Sequence, residues 1–471
     1  MSRLFPRASG GARWVKVLLS LSCCGSFFAA SGAGSPLQEL FLERTKSVVA
    51  VEFFVETEVD RRPSTVVGMV VDDAGLVVLL DTAIPGWLPP DQLKDFRVYR
   101  PGTRTGVPGT YLGQDFLTGW HYLRASGEFA AHTLAAGTFA TALPGIGDEV
   151  WGIGLMGKDF DFQPFLMTGR IALIQQLPQS IGFSVSEVAS PGAPVFAPDG
   201  ALVGWAGNSL PQERLLYLEN ERYSAGIQNP NGSGSFYLVS EVLPYLHRVP
   251  ASPVGQDIPW LGVVGLQPVD REVAEFLKIE NRSAVVVSDV IEGGPAARAG
   301  MQQRDIIVSL DGNAFARFSP ARVVTTFLER EFLSRAPGEI VTLGVMRGSE
   351  RLEIPVEVGR QPTPLKEARR KYFTNLGITL REFVLFDRVS RQMKAEEEGG
   401  VVTNFVKANT PASTAGLRAG DLIREIDGVR IADYEQGLQL LGAIESDTAR
   451  NEFVLLIVRG TETSVIRVRL K

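Results

Sequence analysis

Residues 295–312, PAARAGMQQRDIIVSLDG, and residues 411–428, PASTAGLRAGDLIREIDG, match at eight of 18 positions with a constant offset of 116. A block carried twice must fold twice, so the C-terminal half holds two copies of one module. In each copy a proline, Pro295 or Pro411, is expected to open a single helical turn, and Gly300 or Gly416 to close it in the left-handed conformation. A buried strand follows, and then the tight-turn pairs Asp311-Gly312 and Asp427-Gly428. Each copy is preceded by a Leu-Gly-aliphatic element, Trp260-Leu261-Gly262-Val263 and Asn375-Leu376-Gly377-Ile378. Downstream, apolar spacing predicts an amphipathic helix, with Val323, Val324, Phe327 and Leu328 in the first copy and Leu438, Leu441 and Ile444 in the second.

The PA-x-x-AG...D-[IL]-I-x-x-[IL]-DG pattern resembles the PDZ domains of bacterial HtrA/Deg proteins, over residues 254–361 and 367–471. The Pro-rich stretches Pro250-Ala251-Ser252-Pro253 and Gln361-Pro362-Thr363-Pro364 read as linkers. The resemblance implies that the Leu-Gly-aliphatic loop offers backbone N–H groups to a peptide's terminal carboxylate. The peptide would add as a strand beside Val263 to Gly265 or beside Ile378 to Leu380, its apolar side chains received by the helix. The peptide-binding residues expected on this basis are Trp260, Leu261, Gly262, Val263, Val323, Phe327, Leu376, Gly377 and Ile378. Two other readings stay open: Val323, Val324 and Phe327 are simply core, or a groove is filled by its own neighbour.

Residues 34–250 have another texture. Short strands bounded by turns are expected at Ser47 to Val55, Thr65 to Val71, Leu76 to Leu80, Glu149 to Ile153, Gly169 to Ile174 and Ala201 to Trp205, enough for two small β-barrels. Gly 49 and Pro 28 agree with a turn-rich, mainly β chain. An opening helix (Leu37, Leu40, Phe41) and a closing helix (Val239 to Leu246) bracket the region. With the modules behind it, the chain resembles an HtrA-type protein over its full length: a trypsin-like double β-barrel followed by two α+β PDZ domains.

That resemblance implies a catalytic triad, and this chain departs from it three times. In the hairpin Gly68 to Ala83, Thr82 stands at the histidine position. In Gly113 to Leu123, Gly119 stands at the aspartate position. In Ala189-Ser190-Pro191-Gly192-Ala193, Pro191 stands at the serine position. Thr82 cannot accept a proton near neutral pH and Gly119 cannot orient an imidazole, so no general base remains. Pro191 lacks both a hydroxyl and the backbone N–H that would serve the oxyanion hole, a donor worth about 10² to 10³ in rate. Sliding the register makes Ser190 the nucleophile but supplies no base. His121, His132 and His247 read as packing or surface residues, and Asp159 and Asp161 as loop residues. No metal-ligand spacing or phosphate loop appears, so neither metal nor cofactor is expected.

The N-terminus reads as an address. Arg3, Arg7, Arg13 and Lys16 precede the apolar run Val17 to Ala30 and the small residues up to Ala33, the form of a secretory signal peptide over residues 1–33. The run has 14 residues, short of the roughly 17 to 25 of a spanning helix; an uncleaved anchor is the alternative. Cys23 and Cys24 lie inside it, so a mature chain would have no thiol chemistry. The net charge of −6 lacks the basic excess of a nucleic-acid binder. The expectation is an exported, periplasmic pseudoprotease without a transmembrane helix in the mature chain. It would bind peptides or unfolded proteins with apolar C-termini as chaperone, adaptor or scaffold. The resemblance adds a homotrimer, through residues such as Phe41, or pairing with an active paralogue. The alternatives are an active serine endopeptidase with its catalytic residues elsewhere and a structural envelope protein.

Overall fold

Six strands close the first barrel: β1 (Val48–Glu56), β2 (Arg61–Val70), β3 (Leu76–Leu79), β4 (Leu93–Tyr99), β5 (Val107–Gln114) and β6 (His121–Ala125), in the order β1-β2-β3-β6-β5-β4. The computed structural model describes residues 35–131, 139–140, 142–176, 179–207, 233–394 and 399–470. The expected signal peptide, Cys23, Cys24 and His132 lie outside them. A second barrel of the same order is built from β7 (Glu149–Leu155), β8 (Pro164–Gln175), β9 (Ile181–Ser184), β10 (Pro194–Phe196), β11 (Leu202–Ala206) and β12 (Ser235–Leu238). Closure removes the exposed edges that open sheets of this size would present.

Alternation of side chains across each strand fills the two interiors. Val49, Val51, Phe53, Val70, Val77 and Leu79 enter the first, while Ile153, Val195, Phe196, Leu202 and Phe236 enter the second. A third cluster joins the barrels. Trp120, just before β6, meets Trp205 of β11 edge to face at 4.8 Å, and Met69, Val78, Tyr122, Val242 and Leu246 pack around them. Helix α1 (Pro36–Arg44) lays Leu37, Leu40 and Phe41 on the second barrel, and Arg44 Nε donates to the Gly200 carbonyl at 3.0 Å. Phe41 is thus partly covered by its own chain.

The closing helix is shorter than expected. Only Val239–Val242 is α-helical (α2), followed by a 3₁₀ turn over Leu243–Tyr245. Pro244 has no N–H to continue the α ladder.

The first module contains β13 (Pro259–Trp260), β14 (Val263–Pro268), α3 (Arg271–Phe276), β15 (Val285–Val290), α4 (Pro295–Arg298), β16 (Ile306–Leu310), β17 (Asn313–Ala314), α5 (Val323–Leu333), β18 (Ile340–Arg347), β19 (Glu350–Glu357) and β20 (Gly359–Arg360). The second contains β21 (Arg370–Phe373), β22 (Ile378–Glu382), α6 (Leu385–Ser390), β23 (Val401–Val406), α7 (Pro411–Thr414), β24 (Leu422–Ile426), β25 (Val429–Arg430), α8 (Tyr434–Ser446), β26 (Glu452–Arg459) and β27 (Glu462–Arg469). Their sheets run β14-β15-β16-β18-β19 and β21-β22-β23-β24-β26-β27. The second repeats the first with one strand added at its front.

The repeated block folds alike in both copies. Pro295 and Pro411 open α4 and α7, and Gly300 and Gly416 follow with φ of +88° in each. Asp305 and Asp421 are buried. Each carboxylate accepts two bonds from one guanidinium, Arg347 at 2.8 Å in the first copy and Arg459 at 2.6 and 2.7 Å in the second. The same arginine reaches the Gly300 or the Gly416 carbonyl at 2.8 Å. Such a bidentate pair fixes the strand end against the helical turn.

Each module leans on a barrel. Arg330 of α5 lies 3.8 Å from Glu241 and 5.1 Å above the Tyr245 ring, beside the second barrel. In the second module, Thr379 Oγ1 donates to Glu58 Oε1 at 2.6 Å and Lys366 Nζ to Gln114 Oε1 at 2.7 Å, both acceptors lying in the first-barrel half.

Candidate functional site

A cleft of about 460 Å³ opens between the barrels, with Thr82 and Pro191 both in its lining. The turn Asp81–Ala83 carries Thr82 out of the end of β3. The third position is next door: a Cβ on Gly119 would lie 3.0 Å from Asp81 Cβ. Thr82 and Pro191 thus meet in one cleft, with Gly119 beside the turn that carries Thr82.

Ser190 also lines this cleft, but its groups are held by the second barrel. Its Oγ accepts from the Leu155 N–H at 3.2 Å, and its N–H donates to the Ile153 carbonyl at 3.0 Å. His121 lines a separate cavity of about 40 Å³, with Gln256 and Lys366. One ring nitrogen shares a 2.8 Å bond with Tyr111 Oη and the other lies 3.4 Å from the Asp81 carbonyl. Burial pushes its pKa down to about 4, which makes the ring neutral at pH 7. Burial pushes the Asp81 carboxyl upward, opposed by backbone N–H groups at Thr82 and at Asp81 itself. His247 is exposed. Lys158 of the cleft lining donates to buried Glu52 at 2.5 Å, which also accepts from Tyr99 Oη at 2.9 Å. Asp159 lies in a short 3₁₀ turn and Asp161 caps it, where Asp161 pairs with Arg104.

The loops of the two modules are alike in backbone and unlike in surroundings. Gly262 and Gly377 have φ of +78° and +72°, a conformation that favours glycine. The Leu261 and Gly262 carbonyls are turned inward, accepting from the Ala296 and Ile291 N–H groups at 2.8 Å. The loop amides are thereby directed the other way, and among the described residues the Gly262 N–H meets no protein acceptor. Among the described residues strand β14 pairs with β15 alone, so its outer edge there is unpaired beside α5. Val323 and Phe327 are partly buried against the module core, whereas Val324 is fully buried and belongs to it. Trp260 is half-buried and lies on β13, which pairs with β20.

In the second module Leu376, Gly377 and Ile378 are buried, and the expected open edge at Ile378 to Leu380 is corrected by the structure. Strand β21 pairs antiparallel along all of it, from Arg370 opposite Arg381 to Phe373 opposite Ile378. The physical cause is local: the chain turns back through Thr374 to Gly377, and Phe373 enters the core with Leu376, Ile378 and Leu380. The first module has Pro259 where the second has Thr374, and its segment is drawn to β20 instead. Sequence reasoning missed β21, though the apolar pair Tyr372-Phe373 directly ahead of the loop is its signal.

No helix among the described residues is long and apolar enough to cross a membrane. Among them, too, no group of three metal-ligating side chains comes together.

The fold and the two loops define a class: a trypsin-like double barrel carrying PDZ domains. The PDZ domain family profile matches residues 262–358 and 383–470. A protein of Chlamydia trachomatis serovar D named "Probable periplasmic serine endoprotease DegP-like" is 29% identical over 52% of this chain and 47% of its own length. A protein of the same name from Hahella chejuensis is 25% identical over 75% of this chain and 77% of its own. The chain thus spans about half the length of the chlamydial relative. Among solved structures, an HtrA-type protease AlgW with decapeptide is 17% identical, with a TM-score of 0.48, over 69% of this chain and 99% of that one. The chain is thus similar to DegP-like serine endoproteases, and its fold is a trypsin-like double barrel followed by PDZ domains.

Proposed function

We propose that this chain is an exported, periplasmic HtrA-type pseudoprotease that holds peptides or unfolded segments without cutting them. One observation supports the reading: of the three residues that the family resemblance sets at the triad positions, Thr82 and Pro191 line one cleft and Gly119 lies against Asp81, the neighbour of Thr82. None of the three can act as base, orienter or nucleophile, and Pro191 cannot donate to an oxyanion. Ser190 does not repair this, because its hydroxyl is engaged by the Leu155 N–H and no histidine among the described residues lines the cleft. What remains chemically able to bind is the first PDZ domain. Its loop has an unengaged Gly262 amide, its β14 edge is unpaired, and Val323 and Phe327 are only partly buried. An extended peptide with an apolar last residue and a free carboxylate fits that set by strand addition. Periplasmic placement follows the names of the relatives.

The test uses the full mature chain with casein, a fluorophosphonate probe and C-terminal peptides with their amidated counterparts. Casein should be retained intact, the protein mass should not change with the probe, and amidation should weaken peptide binding at least tenfold. A stoichiometric adduct that disappears in Ser190→Ala would restore the endopeptidase reading. Absence of any peptide or casein binding would leave the structural-protein reading.

A further inference from the structure

In the second PDZ domain every feature that would receive a foreign peptide is already engaged by the chain itself. Strand β21 lies on the outer edge of β22, the edge that β14 leaves unpaired in the first domain. Helix α8 packs against both β21 and β22, so β21 runs between the sheet and the helix, where strand addition would place a ligand. Its direction is also that of a ligand, antiparallel to β22 with its C-terminal end at the loop.

The ends are fastened. At the loop, the Gly377 N–H donates to the Phe373 carbonyl at 2.8 Å, and the Asn375 N–H donates to Glu445 Oε1 of α8 at 2.8 Å. A carbonyl and a side-chain carboxylate thus stand on two loop amides. The Phe373 side chain is 2% exposed, packed as a terminal apolar residue would be. At the far end, Arg369 grips both walls. Its guanidinium bonds Glu382 of β22 at 2.7 and 2.9 Å, pairs with Glu435 of α8 and lies 5.0 Å above the Tyr434 ring.

We infer that Arg369–Phe373 is a built-in ligand that keeps the second PDZ groove shut, so that peptide capture is confined to the first domain while β21 is docked. The occupant also states what the groove would take if vacated: an extended peptide with a C-terminal phenylalanine and an arginine four residues before it. The arginine meets Glu382 and Glu435, and the phenylalanine fills the pocket beside Ile378 and Leu380. This rests on the peptide-binding reading of the first domain only for the site that stays open.

The probe is the pentapeptide Arg-Arg-Lys-Tyr-Phe with a free carboxylate, the sequence of residues 369–373 itself, followed by amide hydrogen exchange on the full mature chain. In the wild type the peptide should leave exchange at 376–380 unchanged. In Arg369→Gln/Phe373→Gly, which loosens both ends, the same peptide should protect 376–380, with affinity there at least tenfold above the wild type. Arg369→Gln alone, which leaves the core intact, should give a smaller gain and serves if the double variant unfolds. Protection of 376–380 in the wild type at the same peptide concentration would overturn the proposal, as would a folded variant that gains none. Protection at 261–263 is read separately: its absence would sink capture by the first domain and leave the shut second groove standing.

Discussion

Gly119 faces Asp81 so closely that a Cβ built on it would lie 3.0 Å from the Asp81 Cβ, and its φ is +75°. Gly119, which the family resemblance sets at the aspartate position of a triad, sits in a tight turn, in which its N–H donates to the Asp115 carbonyl at 2.8 Å.

Restoring the acid should consequently cost stability without restoring chemistry. Gly119→Asp combines a left-handed backbone with a second carboxylate against Asp81, and should lower unfolding free energy by about 1 to 2 kcal/mol. The triple change Thr82→His, Gly119→Asp and Pro191→Ser should inherit that loss. Urea denaturation of Gly119→Asp beside wild type checks it; equal midpoints would show that the turn relaxes freely.

His121 should make the protein acid-sensitive. Its folded pKa, pushed down to about 4 by burial, lies below the ordinary value of about 6.5. The unfolded chain binds the proton more readily between those values, so stability is full above about pH 6.5 and falls as pH drops toward 4. The complete loss is about 3 kcal/mol. His121→Gln should flatten the decline between pH 6.5 and 4 in urea denaturation. Parallel pH curves for variant and wild type would refute the assignment.

The second domain rests on a buried ion pair. Arg381 bonds Asp387 at 2.6 and 2.8 Å, both side chains 6% exposed, and Asp387 also accepts the Val384 N–H at 3.0 Å. Asp387→Ala leaves a buried guanidinium unpaired and should cost about 3 to 5 kcal/mol. The double change Arg381→Met/Asp387→Leu should recover most of this. Calorimetry reads the difference; a single variant as stable as the wild type would deny the pair its role.

The two loop glycines should respond unequally to alanine. A Cβ at Gly377 would lie 2.4 Å from the Thr410 side chain, whereas one at Gly262 comes no nearer than 3.1 Å, to Pro295. Both pay for a positive φ, about 1 kcal/mol. Gly377→Ala should therefore unfold at lower urea than Gly262→Ala, and the reverse order would contradict the packing.

What could be read from the sequence was what short-range chemistry dictates. Proline at 295 and 411 and glycine at 300 and 416 announce their turns wherever they stand, and runs such as Leu76 to Leu80 can only be interior. That Thr82 and Pro191 share a cleft was legible because the motifs of the resembled family set them in related places. Strands β4 and β5 were not, since Lys94, Asp95 and Arg97 or Gly109 and Gln114 interrupt their apolar pattern. Nor was the difference between the two grooves. It depends on whether the segment ahead of the loop pairs with β20 or folds back on β22, a contest between distant partners that no local pattern records.

The contacts that seat the two PDZ domains are nested along the chain. Arg330 reaches back only to the end of the second barrel, but Thr379 and Lys366 reach across 321 and 252 residues to Glu58 and Gln114. Each doubling of a loop costs only about 0.6 kcal/mol to close, so the arrangement is thermodynamically cheap; its consequence lies in time. As the chain is made from its N-terminus, the first barrel is complete long before its last partner exists. The surface around Glu58 and Gln114 waits uncovered through most of synthesis and is closed only when the final domain arrives, so assembly proceeds from the middle of the chain outward.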